Sequence, residues 1–187
     1  MKLYDNYATL GFGNFTTVLG ELYSNFEISR TDNAGVFFRH NSSQGDIDGV
    51  RLDNKFYDTQ LEGTYTSRQR DMSYGLNAGL EHQIFNWYGL NEFATAFSEE
   101  EITEIDPKQS YFSFTLGGNL ALDDSVFEGA KAQLRYLSDG FSSSEINFTA
   151  QPELLFPLSD FNLKFKGDVN FLNGTFENDY FLSLIHI

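Results

Sequence analysis

The sequence predicts an all-β fold, an antiparallel up-and-down transmembrane β-barrel of about ten strands that forms part of a larger barrel. Three observations predict it. Apolar residues recur at every second position over long stretches, short and long connections alternate, and aromatic residues gather near the ends of the stretches. A period of two indicates strands, and stretches of about 9–11 residues can cross a bilayer, whereas globular strands average about 5–6 residues.

The clearest alternation lies in two runs between Met72 and Leu122, where one parity is apolar and the other is polar and glycine-rich. A membrane barrel turns its apolar parity towards lipid and its polar parity towards the lumen. We therefore expect an outward-facing set of Tyr74, Leu76, Ala78, Leu80, Phe112, Phe114, Leu116 and Leu120. The expected lumen-facing set is Asn77, Glu81, Thr115 and Asn119.

Eight further stretches alternate in the same way. They cover residues 6–12, 17–28, 33–42 and 54–67 before the two runs, and 126–137, 144–157, 161–172 and 175–186 after them. Pro152 falls inside one stretch and, because proline has no N–H for a strand ladder, we expect a bulge or a break there. A short helix is the alternative to a loop over residues 92–105, where Phe93, Phe97 and Glu101 share a face.

The connections alternate in length, as they do in membrane barrels with short periplasmic turns and longer outer loops. Short turns are predicted at 30–33, 68–71, 123–125 and 158–160, and longer loops at 44–53, 86–108 and 138–143. Two connections, near Asn14 and near Asn173-Gly174, are short although they fall on the side of the long loops.

Aromatic residues near strand ends indicate an interfacial girdle, although aromatic residues also favour strands anywhere. The expected girdle consists of Tyr7, Phe85, Trp87, Tyr88, Tyr111, Tyr136, Phe156 and Phe161. The parity pattern alone leaves a second architecture open. In a soluble periplasmic barrel that binds an apolar ligand, the same apolar parity points inwards.

Composition excludes several classes of function. The net charge is −15, from 12 basic and 27 acidic residues, and no basic patch interrupts it, so we set nucleic-acid binding aside. The chain has no cysteine, which excludes disulfides and thiolate metal sites. No apolar run approaches the roughly 18 residues of a transmembrane helix, and barrel strands would not produce one.

We expect a single barrel region over residues 1–187 that belongs to a longer protein. Met1-Lys2-Leu3 is followed by polar residues rather than by the apolar core of a signal peptide. The last six residues, 182–187, resemble translated adapter sequence and are suspect.

Three segments carry a family resemblance: Leu10-Gly-Phe-Gly-Asn-Phe-Thr-Thr17, Gly20-Glu-Leu-Tyr23 and Phe38-Arg-His-Asn-Ser-Ser43 with the following glycines at 45 and 49. They resemble the barrel region of Bacteroidetes outer-membrane proteins of the TonB-dependent-receptor-like type. The resemblance implies a Gram-negative outer membrane, lipid as a partner, and uptake of a small nutrient. It also implies an energy-coupling protein acting through parts beyond this chain, because no plug or TonB-box segment is visible here. A structural or adhesive barrel is the alternative.

The candidate ligand residues lie in loops. Trp87 and Tyr88, at the mouth of the longest loop, could stack on a ligand or anchor the chain at the interface. Carboxylates of the same loop could bind Ca²⁺ or simply keep the loop hydrated: Glu99, Glu100 and Glu101, with Glu104 and Asp106. The same two interpretations apply to Asp46, Asp48 and Asp53.

The sequence contains no convincing catalytic constellation, so we expect no enzymatic activity and no cofactor or metal. His40, near Ser42 and Ser43, is the one local pairing of a base with a nucleophile. His82 lies on the apolar parity, where an interfacial position is the better interpretation. Four glycines of the two runs are interpreted as packing or bending positions: Gly75, Gly79, Gly117 and Gly118.

Overall fold

The computed structural model describes residues 4–45, 47–87, 89–90, 97–176 and 180–186. These residues form eleven strands and one short helix, α1 (Glu99–Glu104). The strands are β1 (Asn6–Gly13), β2 (Thr17–Glu27), β3 (Asp32–Ser43), β4 (Phe56–Arg68), β5 (Met72–Asn86), β6 (Lys108–Leu122), β7 (Phe127–Asp139), β8 (Ser144–Leu158), β9 (Phe161–Lys166), β10 (Asp168–Thr175) and β11 (Tyr180–His186).

All eleven strands belong to one antiparallel sheet, in which each strand from β1 to β8 lies beside the next strand of the chain, while β10 pairs with β8 and then with β11. The prediction of an all-β, antiparallel up-and-down sheet is therefore confirmed. Among the described residues the sheet is open, with β1 at one edge and β11 at the other. The suspect tail contributes to the second edge, since residues 182–186 are paired with β10.

The predicted stretch 161–172 corresponds to β9 and β10, which lie end to end along the same edge of β8. Glu153 pairs with Lys166 and Ala150 pairs with Val169, so no extra residue is present on either strand. The ladder is interrupted at Gly167, whose N–H donates to the carbonyl of Pro152 at 3.0 Å. Because Pro152 has no N–H, it cannot donate the second hydrogen bond of this pair, and the ladder has a break without a bulge.

A bulge does occur at Glu128 in β7. Phe127 pairs with Leu154 and Gly129 pairs with Glu153, so Glu128 is an additional residue on β7. In the predicted stretch 126–137, regular alternation back from Ala130 places Val126 on the apolar parity, and this placement was wrong. The bulge shifts the parity, so that Phe127 joins the apolar face, and the carboxylate of Glu128 reaches Lys164 Nζ at 2.6 Å on the opposite face.

The strand register gives the sheet one continuous apolar face, because residues paired directly across strands share a face. One row of this face runs without a gap across seven strands: Ala8, Leu22, Phe38, Leu61, Leu80, Phe114 and Tyr136. All eight residues of the expected outward-facing set lie on this apolar face. The four residues of the expected lumen-facing set lie on the other, which we call the polar face.

The register corrects part of the expected aromatic girdle. Tyr136, Phe156 and Phe161 lie on the apolar face, as a girdle requires. Tyr7, Phe85 and Tyr111 were wrongly included, because their pairing with Tyr23, Phe56 and Gln83 turns them to the polar face. Tyr88 lies outside the described residues.

The described residues build almost no hydrophobic core. Ile102 of α1 is the one apolar residue among them that is buried, while Leu76 and Leu116, in the middle of the apolar face, are 53% and 46% exposed. The accessible surface is 13520 Å². A compact monomer of this mass would expose about 9100 Å². The sheet therefore leaves uncovered an area that a self-contained domain would bury.

The predicted difference in connection length between the two ends of the sheet is confirmed for the loops 44–55 and 87–107, whereas the loop expected at 138–143 is reduced to residues 140–143 and is as short as a turn. The turn end carries connections 28–31, 69–71, 123–126 and 159–160, and the loop end carries 14–16, 44–55, 87–107 and 140–143. The expected turn at Asn173-Gly174 was wrong, because β10 continues through both residues and ends at Thr175.

The predicted helix is confirmed in its second half as α1, which begins after the capping residue Ser98. Phe93 lies outside the described residues, so the expected helical face is not described. In the described part of the chain, no helix has the length and apolarity needed to span a membrane.

Replacing Gly129 with alanine should destabilise the folded chain, because a Cβ at this position would lie 2.1 Å from the backbone carbonyl oxygen of Leu120. We expect a loss of about 1–3 kcal/mol of unfolding free energy, measured by urea titration. Gly63→Ala is the matched control, since its Cβ would have no atom within 4 Å. Equal unfolding midpoints for the two variants would contradict the close approach of Gly129 to the Leu120 carbonyl.

Candidate functional site

An uncharged row of amides, hydroxyls and glycines crosses the middle of the polar face. Its members pair successively across β2 to β8 and then β10: Asn25, Gly35, Thr64, Asn77, Gly117, Gln133, Thr149 and Asn170. Side chains of this kind offer both donors and acceptors without net charge. The row therefore provides a surface suited to polar, neutral solutes.

Part of this row lines a groove of about 770 Å³, which we call the amide groove. Asn119, Lys131, Gln151 and Asp168 line it beside the row. Two hydrogen bonds order its side chains: Gln151 donates to Asp168 at 2.8 Å, and Asn147 donates to Asn170 at 2.9 Å. One acid and one base leave the groove without a dominant charge.

Glycines give the asparagine amides of the groove their space. A Cβ on Gly117 would lie 2.5 Å from Asn77 Oδ1, and a Cβ on Gly75 would lie 2.7 Å from Asn119 Oδ1. Each asparagine thus lies across the glycine opposite to it in the neighbouring strand. Gly118 lies on the apolar face, where its Cβ would be 3.2 Å from Leu76 Cδ2.

Charged groups flank the uncharged row. Towards the loop end, Gln83 donates to Glu81 at 2.9 Å and Gln60 donates to Glu62 at 2.7 Å, while Arg39 Nε lies 3.6 Å from Glu21. Towards the turn end, Glu153 accepts from both Lys164 and Lys166 at 2.8 and 3.0 Å. These ion pairs are partly solvated, so their main effect is to fix side-chain positions rather than to stabilise the fold.

The loop-ligand candidates lie at the loop end, and three of the carboxylates have partners, including Asp106, which accepts from the backbone N–H of Lys108 at 3.0 Å. Trp87 is 63% exposed, and its backbone N–H donates to the carbonyl of Pro107 at 2.8 Å. Glu99 forms an ion pair with Arg51, while Glu101 caps α1 through the N–H and hydroxyl of Ser98 at 2.7 and 2.9 Å. The hydrogen bond from the backbone N–H of Ser98 lowers the pKa of Glu101, and the Ser98 hydroxyl adds to this effect. Glu100 is exposed.

The second set of carboxylates is divided in the structure. Asp53 lies 2.7 Å from Lys55 Nζ, and its hydrogen bond raises the pKa of the Lys55 ammonium. Asp48 lines a separate pocket under the loop 44–55, and Asp46 lies outside the described residues. Among the described residues, no three His, Asp or Glu side chains converge as a metal site would require.

His40 in β3 and His82 in β5 both lie on the apolar face. His40 is held between Thr59 at 2.8 Å and Ser42 at 3.2 Å, with Ser43 on the opposite face. His82 contacts Ser110 at 3.3 Å. In the described chain both rings hydrogen-bond to hydroxyl groups rather than to a carboxylate, so neither pairing has the orienting group of a catalytic triad.

No family model matches the chain, and no curated protein or solved structure shows significant similarity to it. The function has to be inferred from the arrangement of its two faces and its loop end.

The cap of α1 should depend on pH. Because the folded-state pKa of Glu101 lies below its ordinary value of 4.5, the carboxylate stabilises α1 above that value and loses this effect as pH falls through the folded-state pKa. NMR Cα shifts of residues 99–104 should therefore report less helix in acid. Ser98→Ala should reduce helicity at neutral pH and flatten the pH dependence, whereas Glu100→Gln should leave it unchanged. An unchanged pH response in Ser98→Ala would contradict the assignment.

Proposed function

We propose that this chain forms part of the wall of an outer-membrane β-barrel that takes up or binds a small nutrient at the cell surface and performs no chemistry of its own. The observation that carries the proposal is the continuous, exposed apolar face. Among the described strands, Asp and Lys occur on that face only at the first residue of a strand, as Asp32 and Lys108, and Glu and Arg do not occur there. Lipid is the solvent that such a face fits.

The dimensions of the apolar face support a membrane partner. On β6 the apolar positions run from Phe112 to Leu122, which is about 34 Å along an extended strand. At a strand tilt of roughly 40° this corresponds to about 26 Å, close to the apolar band of outer-membrane barrels. Polar side chains mark the loop-side border of the band on the same face: Ser42, His40, Thr59, His82 and Ser110.

The position of the grooves favours this proposal over a soluble barrel with an apolar ligand inside. Grooves of about 160, 770 and 320 Å³ are lined mainly by polar-face residues. The largest is lined by residues of β5 to β8 and of β10, so the broadest concavity lies on the polar face. A lipocalin-like binder would need its apolar residues to line the cavity instead.

The amide groove favours uptake or binding over a purely structural barrel. A scaffold would need only a sheet, whereas this concave face has ordered amides above glycines and a nearly neutral charge balance. In a bilayer the edges β1 and β11 must pair with each other or with further strands, because an unpaired backbone group in hydrocarbon costs several kcal/mol. The proposed coupling to an energy source rests on the family resemblance alone.

Single-tryptophan variants test the membrane placement. In a Trp87→Phe background, Leu116→Trp and Thr115→Trp place the tryptophan at adjacent positions of β6, on opposite faces of the sheet. In bilayers of brominated lipid we expect severalfold quenching at position 116 and little at 115, because bromine quenches by contact. Equal quenching at the two positions, or stronger quenching at 115, would contradict the proposal.

A charge should discriminate between the faces in the same way. Leu116→Lys should lower the unfolding free energy in a bilayer by about 2–4 kcal/mol, the cost of a lysine near the membrane midplane. Thr115→Lys should have a much smaller effect, because its ammonium would remain in water. The measurement is a denaturant titration of protein folded into vesicles, and similar losses for both variants would overturn the assignment of the faces.

A further inference from the structure

A pocket of about 460 Å³ lies at the loop end, lined by residues of the loop 44–55 and of the adjoining strands. It differs from the grooves of the polar face in having three phenylalanines in its lining: Phe15, Phe56 and Phe85. The volume lies within the range of about 300–1,000 Å³ that is typical of small-molecule sites. The pocket is therefore large enough for a small organic solute, and its lining determines the chemistry of that solute.

Strand pairing and a tight turn fix the positions of the three phenylalanines. Phe56 and Phe85 are direct partners in β4 and β5, so their Cβ atoms lie about 5 Å apart on the same face of the sheet. Phe15 lies in the turn between β1 and β2, and its carbonyl accepts a hydrogen bond from Gln44 N at 3.0 Å. Gly45 approaches Phe15 so closely that no side chain would fit between them. The aromatic part of the lining is therefore set by contacts within the chain.

Among the described ionisable groups around the pocket, the carboxylate of Asp48 is uncompensated. Both basic residues of the loop are engaged by other carboxylates: Lys55 Nζ lies 2.7 Å from Asp53, and Arg51 forms an ion pair with Glu99. Asp48 lines the pocket and has no hydrogen-bond or ion-pair partner in the described part of the chain. The whole chain has a net charge of −15. A cationic solute is therefore attracted to this pocket, and an anionic one is disfavoured.

Aromatic rings beside an uncompensated carboxylate favour one chemical class of ligand. A ring presents the negative side of its quadrupole to a cation, and organic ammonium groups bind among several aromatic rings for this reason. A neutral apolar solute would use the rings but not the charge. A metal ion would require several oxygen ligands, and no three His, Asp or Glu side chains converge among the described residues. A methylated ammonium ion uses both features, because its methyl groups contact the rings while its charge attracts the carboxylate.

We propose that this pocket binds a small quaternary ammonium compound, with the ammonium group among Phe15, Phe56 and Phe85 and with Asp48 as its counter-charge. This ligand class deepens the nutrient-binding role proposed above and rests on it, because that role places the loop end at the cell surface. Phe56 and Phe85 lie on the polar face, away from the proposed lipid contact. The source of the ligand is therefore a dissolved solute rather than the headgroup of a membrane lipid.

Choline is the probe, and 3,3-dimethylbutan-1-ol is its neutral counterpart of the same shape. Binding of each compound to the full folded chain is measured by calorimetry and by ligand-observed NMR, in vesicles without choline lipids. We expect saturable binding of choline. The alcohol should bind about fivefold more weakly, because it keeps the apolar contacts with the rings and loses the attraction of the charge.

Two variants separate the contribution of the charge from that of the rings. Asp48→Asn removes the counter-charge, and Phe56→Leu replaces an aromatic surface by an aliphatic one. Each should weaken choline binding about threefold to fivefold, whereas Asp48→Asn should leave the affinity for the alcohol unchanged. The matched controls lie at the turn end: Asp160→Asn and Phe161→Leu should bind choline as the unmodified chain does.

The absence of saturable choline binding would overturn the proposal, and so would equal affinity for the alcohol or an unchanged choline affinity in either pocket variant. Binding of phosphatidylcholine vesicles without binding of dissolved choline would assign the site to a lipid headgroup and would also contradict it. Quenching at Leu116→Trp reports the membrane wall independently. Loss of choline binding with quenching retained refutes the pocket alone, and the reverse result refutes the membrane placement alone.

Discussion

Backbone pairing between consecutive strands is the interaction on which the rest of this structure depends. The described chain has almost no buried apolar side chains, so its order comes from a series of antiparallel ladders, nearly all of them between strands that follow one another in the chain. Strand pairing also determines which side chains lie on each face of the sheet. Because side chains alternate between faces, a slip of one residue in any ladder would turn an entire strand inside out. The separation of an apolar face from a polar face is therefore a property of the register.

Register also explains the two irregularities near the turn end. At Pro152 the ladder loses one hydrogen bond and keeps its alignment, so the faces of β8, β9 and β10 are unaffected. At Glu128 the alignment shifts by one residue, and the shift removes a carboxylate from the apolar face and brings it to Lys164. Gly129 permits the shift because no side chain would fit beside the Leu120 carbonyl. A missing N–H donor therefore leaves the two faces unchanged, whereas an added residue moves the residues beyond it to the opposite face.

The strands and the two faces could be predicted well because both follow from local alternation, which most strands of this sheet display along their length. The runs around Leu80 and Leu116 needed no knowledge of their neighbours. The pocket at the loop end that is lined by Phe15, Asn54 and Phe85 could not be predicted, because these residues are far apart in sequence. Tyr7, Phe85 and Tyr111 were misplaced for a different reason. Each lies near a strand end but on the polar parity of its own strand, and the prediction used the first property without the second.

The strictly sequential order of the strands has a consequence for how such a chain assembles. Each strand needs only the preceding one as its template, so the sheet can grow one hairpin at a time from contacts between residues that are close in sequence. The exposed edge of β1 is the exception. In the proposed barrel, the pairing that covers this edge joins segments that no turn connects. Closure of the ring is then the slow, entropically expensive step, and a growing sheet carries an adhesive edge until that step is complete.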